Sequence, residues 1–283
     1  MQSDLAAPPP AGTPVPTAIA RLADHHPVEL VWQNEVGGVT ARIDRPSGAV
    51  FAKWNPGGTT ESLADEAERM RWLADLVASR AEAGAAPLLV PTVLELRAEA
   101  GGELLVTAAL PGDSAASVHG RRDPERAAAA IGTGLRLLHD LPVAECPFPA
   151  PDWTASVAPT TTAITTISTR ASGTATPGTA MPGNPASGTA TSGAGAASAA
   201  RASVICHGDP CAPNTLVRDG AFVGIVDLGR LGVGDPWSDL AIASWSLEWN
   251  GLADGEPAFW SAYGVEPDAE RIRGWRSRWG APV

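Results

Sequence analysis

The sequence predicts an α+β protein, with a β-rich N-terminal part that contains one helix and a larger, mainly helical C-terminal part. Two observations support this division. Between Val28 and Leu110, short apolar runs of strand type surround a single stretch with helical periodicity. After residue 112 a second long helical pattern begins, and the rest of the chain reads as loops and helices.

The N-terminal elements follow directly from the spacing of apolar residues. Three strand-like runs, VELVW, GVTARI and GAVFAKW, precede the helical stretch, and two more, LLVPTVLEL and ELLVTAAL, follow it. The helical stretch is SLADEAERMRWLADLVASRA, in which small or apolar residues recur every three or four positions at Leu63, Ala67, Met70, Leu73 and Ala74. We therefore expect one amphipathic helix among five strands.

The C-terminal part is predicted to begin with a long helix over residues 124–140, because PERAAAAIGTGLRLLHD opens with proline in its first turn. Residues 1–25 contain several prolines and an early acid, and we interpret them as a flexible tail and not as a signal peptide. The predicted organisation is thus a tail, an N-lobe over 26–108 and a C-lobe over 109–283.

Residues 154–203 interrupt the C-lobe with a low-complexity segment made almost entirely of Ala, Thr, Ser, Gly, Pro and Arg. Such a composition cannot bury enough apolar surface to offset its ordering entropy, so disorder is expected. All of these residues have codons with C or G in the middle position, which suggests that a G+C-rich gene is read out of frame here. The last thirteen residues, RIRGWRSRWGAPV, share the bias and suggest a second shift.

Composition narrows the classes of partner. A net charge of -11 disfavours nucleic acid and favours a cationic ligand, although acidity also serves solubility. The chain has no run of eighteen apolar residues, which argues against a membrane span. Three scattered cysteines do not make a disulfide framework, so we expect a reduced, cytoplasmic compartment.

The chemistry-bearing residues are concentrated between residues 204 and 241, in VICHGDPCAPNTLVRDGAFVGIVDLGRLGVGDPWSDLA. Asp227 ends an apolar run, and Gly229 allows a sharp turn after it. Asn214 and Asp227 offer the oxygen ligands that suit Mg²⁺. Asp209, five residues before Asn214, then remains available to accept a hydroxyl proton and orient that hydroxyl for in-line attack on phosphorus.

A site that binds phosphates also needs a cation and a stretch of backbone that can approach the phosphates closely. We looked for both in the part of the chain before residue 204. Lys53, on a strand-like run, is the only lysine in the chain, and Glu66 on the following helix is its natural partner. Gly37 and Gly38 offer a phosphate-covering turn between two strands, although a plain hairpin turn would look the same. No G-x-x-x-x-G-K-[ST] sequence is present, which disfavours a P-loop.

A metal-hydrolase site built from His207, Asp209, Asp227 and Asp235 is an alternative, but it gives no role to the asparagine, lysine and glutamate just described.

These motifs resemble the aminoglycoside phosphotransferase family, most closely its 3'-phosphotransferases. HGDPCAPN (207–214) and IVDLGRLGVGDPWSDLA (225–241) carry the resemblance. It extends through EAERMRWL (66–73), LLVTAALPG (104–112) and GLRLLHDLPVAECPF (134–148). The resemblance implies a protein-kinase-like fold, in which an antiparallel β lobe joins a larger helical lobe at a hinge.

The resemblance also assigns roles to the matching positions. Lys53 would contact the ATP phosphates, Glu66 would position it, Asp209 would be the catalytic aspartate, and Asn214 and Asp227 would hold Mg²⁺. The hinge would lie at residues 107–110, with Thr107 and Ala109 in the ATP site beside the glycine turn. Four further positions look structural: His207, Arg230, Asp235 and Asp239.

The expected substrate is a small polycation, which requires an acidic pocket. In the family these acids come largely from the region before HGD and from the C-terminus, and both regions lack them here. Glu248 is a candidate amine contact, or equally a helix-surface charge.

Three functions follow from the resemblance and from these departures. The first is an ATP- and Mg²⁺-dependent aminoglycoside kinase that confers antibiotic resistance. The second is a kinase of another small hydroxylated amine or sugar. The third is an ATP-binding remnant whose catalysis is impaired because its substrate-side segments differ from the family.

Overall fold

A computed structural model describes residues 9–10, 12–34, 36–82, 84, 86–99, 101–149 and 203–279. The predicted low-complexity segment therefore lies outside the described residues, apart from Ser203. The last four of the thirteen C-terminal residues also lie outside them.

Five antiparallel strands form the N-terminal sheet, in the order β1-β2-β3-β5-β4. The strands are β1 (Val28–Gln33), β2 (Val39–Ile43), β3 (Val50–Pro56), β4 (Val93–Glu99) and β5 (Gly102–Ala108). Burial alternates along β2, because successive side chains of a strand point to opposite faces. On the central strand β3, Lys53 pairs in register with Thr40 of β2 and Leu105 of β5.

A short helix, α1 (Thr17–Ala23), covers one face of this sheet. The prediction of a flexible tail over 1–25 is therefore wrong for these residues. Ile19 is fully buried in a cluster with residues of β2, β3 and β5, and the Arg45 guanidinium donates to the Leu22 carbonyl at 2.7 Å. Seven residues make too short a helix to stand alone, so α1 depends on these tertiary contacts.

The long helix α2 (Leu63–Glu82) lies against the other face of the sheet and matches the predicted helix closely. The run LLVPTVLEL was expected to be one strand, but Pro91 lies between two pieces that pair differently. Leu89 exchanges backbone hydrogen bonds with Val223 and Ile225, whereas Val93 begins β4. Because proline has no N–H to donate, the ladder cannot pass through it.

The C-terminal part contains five α-helices and two small sheets among the described residues. The helices are α3 (Val118–Arg122), α4 (Pro124–His139), α5 (Pro236–Trp249), α6 (Glu256–Tyr263) and α7 (Ala269–Arg276). The strands are β6 (Asp113–Ser114), β7 (Val204–Cys206), β8 (Thr215–Arg218), β9 (Ala221–Ile225) and β10 (Gly232–Gly234). Helix α4 starts where the sequence predicts, with Pro124 at its first position and the Asp123 carboxylate accepting from the Arg126 amide.

One apolar cluster joins the two parts. It contains Leu63 and Leu73 of α2, Leu138 of α4, and Ile225 and Leu228 beside Asp227. Burial of these side chains fixes the helix that carries Glu66 against the segment that carries Asp227. No described helix is long and apolar enough to cross a membrane.

Candidate active site

Lys53 lies between two carboxylates that belong to different elements. Its ammonium nitrogen is 2.8 Å from Glu66 Oε2 on α2 and 2.9 Å from Asp227 Oδ1 after β9. The lysine side chain is only 18% exposed and that of Glu66 only 6%. The pairing of Lys53 with Glu66 agrees with the sequence prediction, and the structure adds Asp227 as a second partner.

Burial and charge act on these groups in opposite directions. Burial tends to lower the pKa of Lys53, but Asp227 and Glu66 outweigh it and hold the pKa of Lys53 above its ordinary value. For Asp227, burial tends to raise the pKa, but attraction to Lys53 dominates and the pKa lies below its ordinary value. Burial raises the pKa of Glu66, a shift that Lys53 only partly offsets. The pair Lys53–Asp227 therefore stays ionised at neutral pH.

Asp227 also has an unusual backbone conformation, with φ at +63°. A left-handed residue other than glycine is uncommon, although aspartate and asparagine tolerate this region better than most. Asp227 lies two residues after the end of β9, and its carboxylate reaches Lys53 at 2.9 Å. This strain at a polar residue is typical of functional sites.

Lys53, Glu66 and Asp227 form a charged triad, and the loop 207–214 lies beside it. Val226 donates its amide to the Asn214 carbonyl at 3.0 Å, which holds Asn214 next to the segment of Asp227. The Asn214 side-chain amide donates to the Asp209 carbonyl at 2.9 Å. The Asp209 amide in turn donates to His207 Nδ1 at 3.3 Å. The structure thus brings together the predicted residues Asp209, Asn214 and Asp227.

Two buried polar atoms in this loop have no hydrogen-bond partner within the described part of the chain. They are Asp209 Oδ1 and His207 Nε2. An unpaired buried carboxylate oxygen is costly, and its persistence in a site of this kind indicates a group kept available for a ligand.

Gly208 is required by the packing of this loop. Its φ is +83°, and a Cβ at this position would collide with the Arg230 carbonyl oxygen. Only glycine satisfies both conditions. The backbone of Arg230 therefore lies directly against the loop that carries Asp209.

Asp239 anchors the same loop from α5. Its fully buried carboxylate accepts from the His207 amide at 2.6 Å and from the Gly208 amide at 3.1 Å. It also contacts His139 Nε2 on α4 at 3.0 Å. Asp235 accepts from the Trp237 amide at 2.9 Å and so caps the start of α5. Both contacts fit the structural roles that the resemblance implies for these aspartates.

The β1–β2 turn contains Gly37 and Gly38, as predicted, but side-chain amides account for much of its geometry. Gly37 is left-handed, with φ at +81°, and a Cβ on Gly38 would collide with Asn55 Oδ1. Asn34 accepts from the Gly38 amide and donates to Asn55 Oδ1 at 3.2 Å and to Glu61 Oε2 at 3.0 Å. Glycine at position 38 is thus explained by amide packing without any phosphate.

The predicted hinge residues lie at the end of β5. Thr107 pairs in register with Phe51 of β3, and the Ala109 amide donates to the Ala49 carbonyl at 3.0 Å. A nucleotide base that accepted a hydrogen bond from the Ala109 amide would have to displace the Ala49 carbonyl from it. This contact could not be predicted from the sequence, since it joins the residue just before β3 to the residue just after β5.

The comparison with known families decides the class of this site. The sequence model described as the phosphotransferase enzyme family matches residues 38–275, which span the lysine, both aspartates and the asparagine described above. The chain belongs to the aminoglycoside phosphotransferases of this family.

Curated phosphotransferases resemble the chain over most of its length. A streptomycin 3''-kinase of Streptomyces griseus is 30% identical over 79% of this chain and 81% of its own. An aminoglycoside 3'-phosphotransferase of Streptomyces ribosidificus is 30% identical over 87% of this chain and 89% of its own. The family that the sequence motifs indicated is confirmed.

Solved structures of phosphotransferases share the fold. An aminoglycoside-3'-phosphotransferase of type VIII has a TM-score of 0.60 at 23% identity, over 92% of this chain and 96% of its own. An aminoglycoside phosphotransferase APH(3'')-Id of Streptomyces rimosus has a TM-score of 0.57 at 22% identity, over 93% and 98%. These similarities confirm the predicted kinase-like α+β fold.

Glu248 is paired within the chain, although the sequence offered it as an amine contact for the phosphotransferase substrate. Its Oε1 accepts from the Arg276 guanidinium at 3.3 Å, and Arg276 also lies over the Trp245 ring at 5.4 Å. Ser246, about 200° around the helix from Glu248, accepts from the Ala212 amide of the loop 207–214 at 2.7 Å. Glu248 therefore faces away from that loop, and the geometry favours its interpretation as a helix-surface charge.

Four polar residues that were not predicted from the sequence support the site. Tyr263 of α6 contacts His139 Nδ1 at 2.8 Å, and His139 in turn contacts Asp239. Glu61 accepts from Asn34 at 3.0 Å and from Arg230 at 3.3 Å, so it links the glycine turn to the loop after Asp227. Arg69 donates to the Leu231 carbonyl at 3.0 Å. In the sequence, only Tyr263 stood out, as the single tyrosine of the chain. One isolated residue forms no spacing pattern from which its partner could be predicted.

Proposed function

We propose that this chain transfers the γ-phosphoryl group of ATP to the 3'-hydroxyl of an aminoglycoside and thereby confers resistance to it. The observation that carries the proposal is the convergence of Lys53, Glu66 and Asp227 with the loop of Asp209 and Asn214. Phosphoryl transfer depends mainly on positioning and charge stabilisation, which such a set of residues provides.

In this proposal Asp209 receives the proton of the substrate hydroxyl. A bond forms between that hydroxyl oxygen and the γ-phosphorus, while the bond from the γ-phosphorus to the bridging oxygen breaks and ADP leaves. Lys53, held by Glu66, contacts the phosphates. The buried Oδ1 of Asp209, which lacks a partner among the described residues, supports its role as acceptor.

The donor set also fits a divalent cation. Asn214 and Asp227 would hold Mg²⁺, since one amide oxygen and one carboxylate, completed by phosphates and water, match its preferences. The backbone hydrogen bond from the Val226 amide to the Asn214 carbonyl supports this assignment because it keeps the segments that carry the two residues adjacent. When bound, the ion supplies positive charge against the phosphate oxygens.

We propose further that ATP binds between the two lobes, with their boundary after β5 near Ala108. Thr107 and Ala109 would face the base, and Gly37 and Gly38 would cover the phosphates. His207 and Arg230 would brace the catalytic loop. We place the reaction in the cytoplasm, where ATP is available, with a small polycation as substrate and neither nucleic acid nor membrane as partner.

Drug-dependent release of ADP tests the reaction. Purified protein with Mg-ATP should release ADP faster with kanamycin than without, and a kanamycin derivative lacking the 3'-hydroxyl should give no stimulation. Streptomycin serves as a second substrate, because one relative is named a streptomycin 3''-kinase. If streptomycin but not kanamycin accelerates ADP release, the 3'-hydroxyl is not the acceptor and the assignment of that hydroxyl must be replaced. Stabilisation by Mg-ATP with no turnover of any drug would support the impaired remnant instead.

Substitution of Asp209 tests its role. Asp209→Asn should lower kcat by about a thousandfold, within the range for a lost general base, while Mg-ATP still raises the thermal midpoint. The control is Asp219→Asn in the exposed turn between β8 and β9, where φ is +55° and asparagine is tolerated. Equal activity of the two variants would exclude Asp209 as the proton acceptor.

A further inference from the structure

Arg69 joins the helix that carries Glu66 to the loop that carries Asp227. It lies three residues after Glu66 on α2, and its Nε donates to the Leu231 carbonyl at 3.0 Å. Leu231 lies four residues after Asp227. The two carboxylates that bind Lys53 therefore sit on elements that a second contact ties together, close to each of them.

The surroundings of Arg69 make this contact well defined. Its side chain is 18% exposed, and its guanidinium lies over the Phe148 ring at 5.1 Å. Phe148 packs edge-on against Trp72 of α2, with ring centroids 5.5 Å apart. The Phe148 carbonyl accepts from the Val233 amide at 3.0 Å, so the residue under the guanidinium is bonded to the same loop.

The neighbouring acid contributes much less. Asp65 Oδ2 is 3.9 Å from Arg69 and its side chain is 63% exposed. An exposed pair at this distance adds little. The hydrogen bond to a backbone carbonyl is the stronger contact, because its donor is charged and partly removed from water.

A further contact between the helix and the loop is needed because the charges of Lys53, Glu66 and Asp227 do not by themselves fix the separation of the two carboxylates. Lys53 attracts Glu66 and Asp227, while the two carboxylates repel each other. Leu228 and Leu231 pack beneath α2, but apolar contacts are non-directional and permit sliding. A hydrogen bond to one carbonyl fixes the register of the helix against the loop.

We propose that Arg69 is a positioning residue for the nucleotide site: by binding the Leu231 carbonyl it holds Glu66 and Asp227 at the separation at which both engage Lys53. This inference rests on the proposed phosphoryl transfer. It assigns no direct contact with the substrate to Arg69. The expected signature is a defect in Mg-ATP use that leaves binding of the second substrate unchanged.

The experiment compares Arg69→Met with Arg71→Met. Arg71 lies two residues further along α2 and is exposed, so its substitution removes the same charge from the same helix without touching the loop. Arg69→Met should raise KM for Mg-ATP by about tenfold, the scale of one lost hydrogen bond from a charged donor, and leave KM for the aminoglycoside unchanged. Arg71→Met should match the wild type in both.

Arg69→Lys provides the conservative rescue, because its ammonium can donate to the same carbonyl but cannot stack in the same way. It should recover a substantial part of the KM defect. If Arg69→Met does not fold, Arg69→Gln replaces it in the comparison with Arg69→Lys. Loss of kcat with both KM values unchanged, or a KM for Mg-ATP within about twofold of wild type, would overturn the positioning role. An inactive wild type would instead refute the proposed function, and this outcome is separate.

Discussion

At the scale of single residues, Lys53 engages two carboxylates at once, and this double pairing makes the site sensitive to acid. The pKa of Asp227 is held below its ordinary value by Lys53, against the opposing effect of burial. A carboxyl with a lowered pKa in the folded state binds fewer protons there than in the unfolded chain. Its stabilising contribution is therefore complete above its ordinary pKa and is lost as pH falls through the lowered value.

This linkage predicts a pH-dependent stability difference between the wild type and Asp227→Asn. The difference in free energy of unfolding, measured with urea, should be constant from about pH 7 to about pH 5 and should shrink below about pH 4. Asparagine tolerates the left-handed backbone of this position, so strain does not confuse the comparison.

The same pair of proteins with Lys53→Met in both is the control, and there the difference should depend much less on pH. A difference that stays constant or grows in acid would contradict the assigned pairing.

How far the sequence predicts the site depends on the distance between partners along the chain. Lys53 and Glu66 could be paired because a strand followed by a helix brings them together, and the motif spacing placed Asp209 near Asn214. The Ala109 contact to Ala49 and the Arg276 pair with Glu248 could not be foreseen. Each depends on tertiary packing that joins elements with no local pattern in common.

At the scale of secondary-structure elements, α7 is better integrated than its composition suggested. Trp275 is buried in the C-terminal core, and Arg276 binds α5 through Glu248, the Ala241 carbonyl and the Ser244 hydroxyl. The family match also continues to residue 275. Both observations argue against an out-of-frame origin for residues 271–275. Compositional bias misled here because tryptophan and arginine can each anchor a helix.

The docking of α7 predicts a stability loss on removal of its anchor. Arg276→Met should lower the free energy of unfolding by about 1.5–3 kcal/mol, since it removes hydrogen bonds from a charged donor. Arg273→Met, on the exposed side of the same helix, is the matched control and should change stability by less than about 0.5 kcal/mol. Urea unfolding measures both. Equal losses for the two variants would mean that α7 is not held by these contacts.

The prediction of elements failed where a short segment depended on its partners. Helix α1 was missed because seven residues after a proline-rich stretch carry little helical signal by themselves, and Ile19 becomes a core residue only against the sheet. Helices α2 and α4 were found because their periodicity extends over several turns.

At the scale of the whole molecule, the net charge of -11 acts on both substrates in opposite senses. It attracts a polycationic drug over distances that salt screens, and it repels the nucleotide. In the proposed reaction, local contacts at Lys53 would therefore have to bind the nucleotide against the overall field.

This field predicts opposite salt effects on the two substrates. Raising the ionic strength from about 0.05 M to about 0.5 M should raise KM for the aminoglycoside several-fold, because screening weakens long-range attraction. KM for Mg-ATP should stay the same or fall. Initial rates at fixed magnesium provide both values, with a chloride and an acetate salt compared to exclude specific ion effects. If KM for the aminoglycoside does not change with ionic strength, the net charge of the protein serves solubility alone.

The proposed nucleotide site contains Lys53, the only lysine of the sequence. Amine-directed reagents consequently have a single side-chain target in this protein, and two carboxylates shield it. One peptide in a mass spectrum therefore carries the whole labelling signal from lysine. Any event that separates Lys53 from Glu66 or Asp227 can be followed in that peptide, without engineering a reporter into the chain.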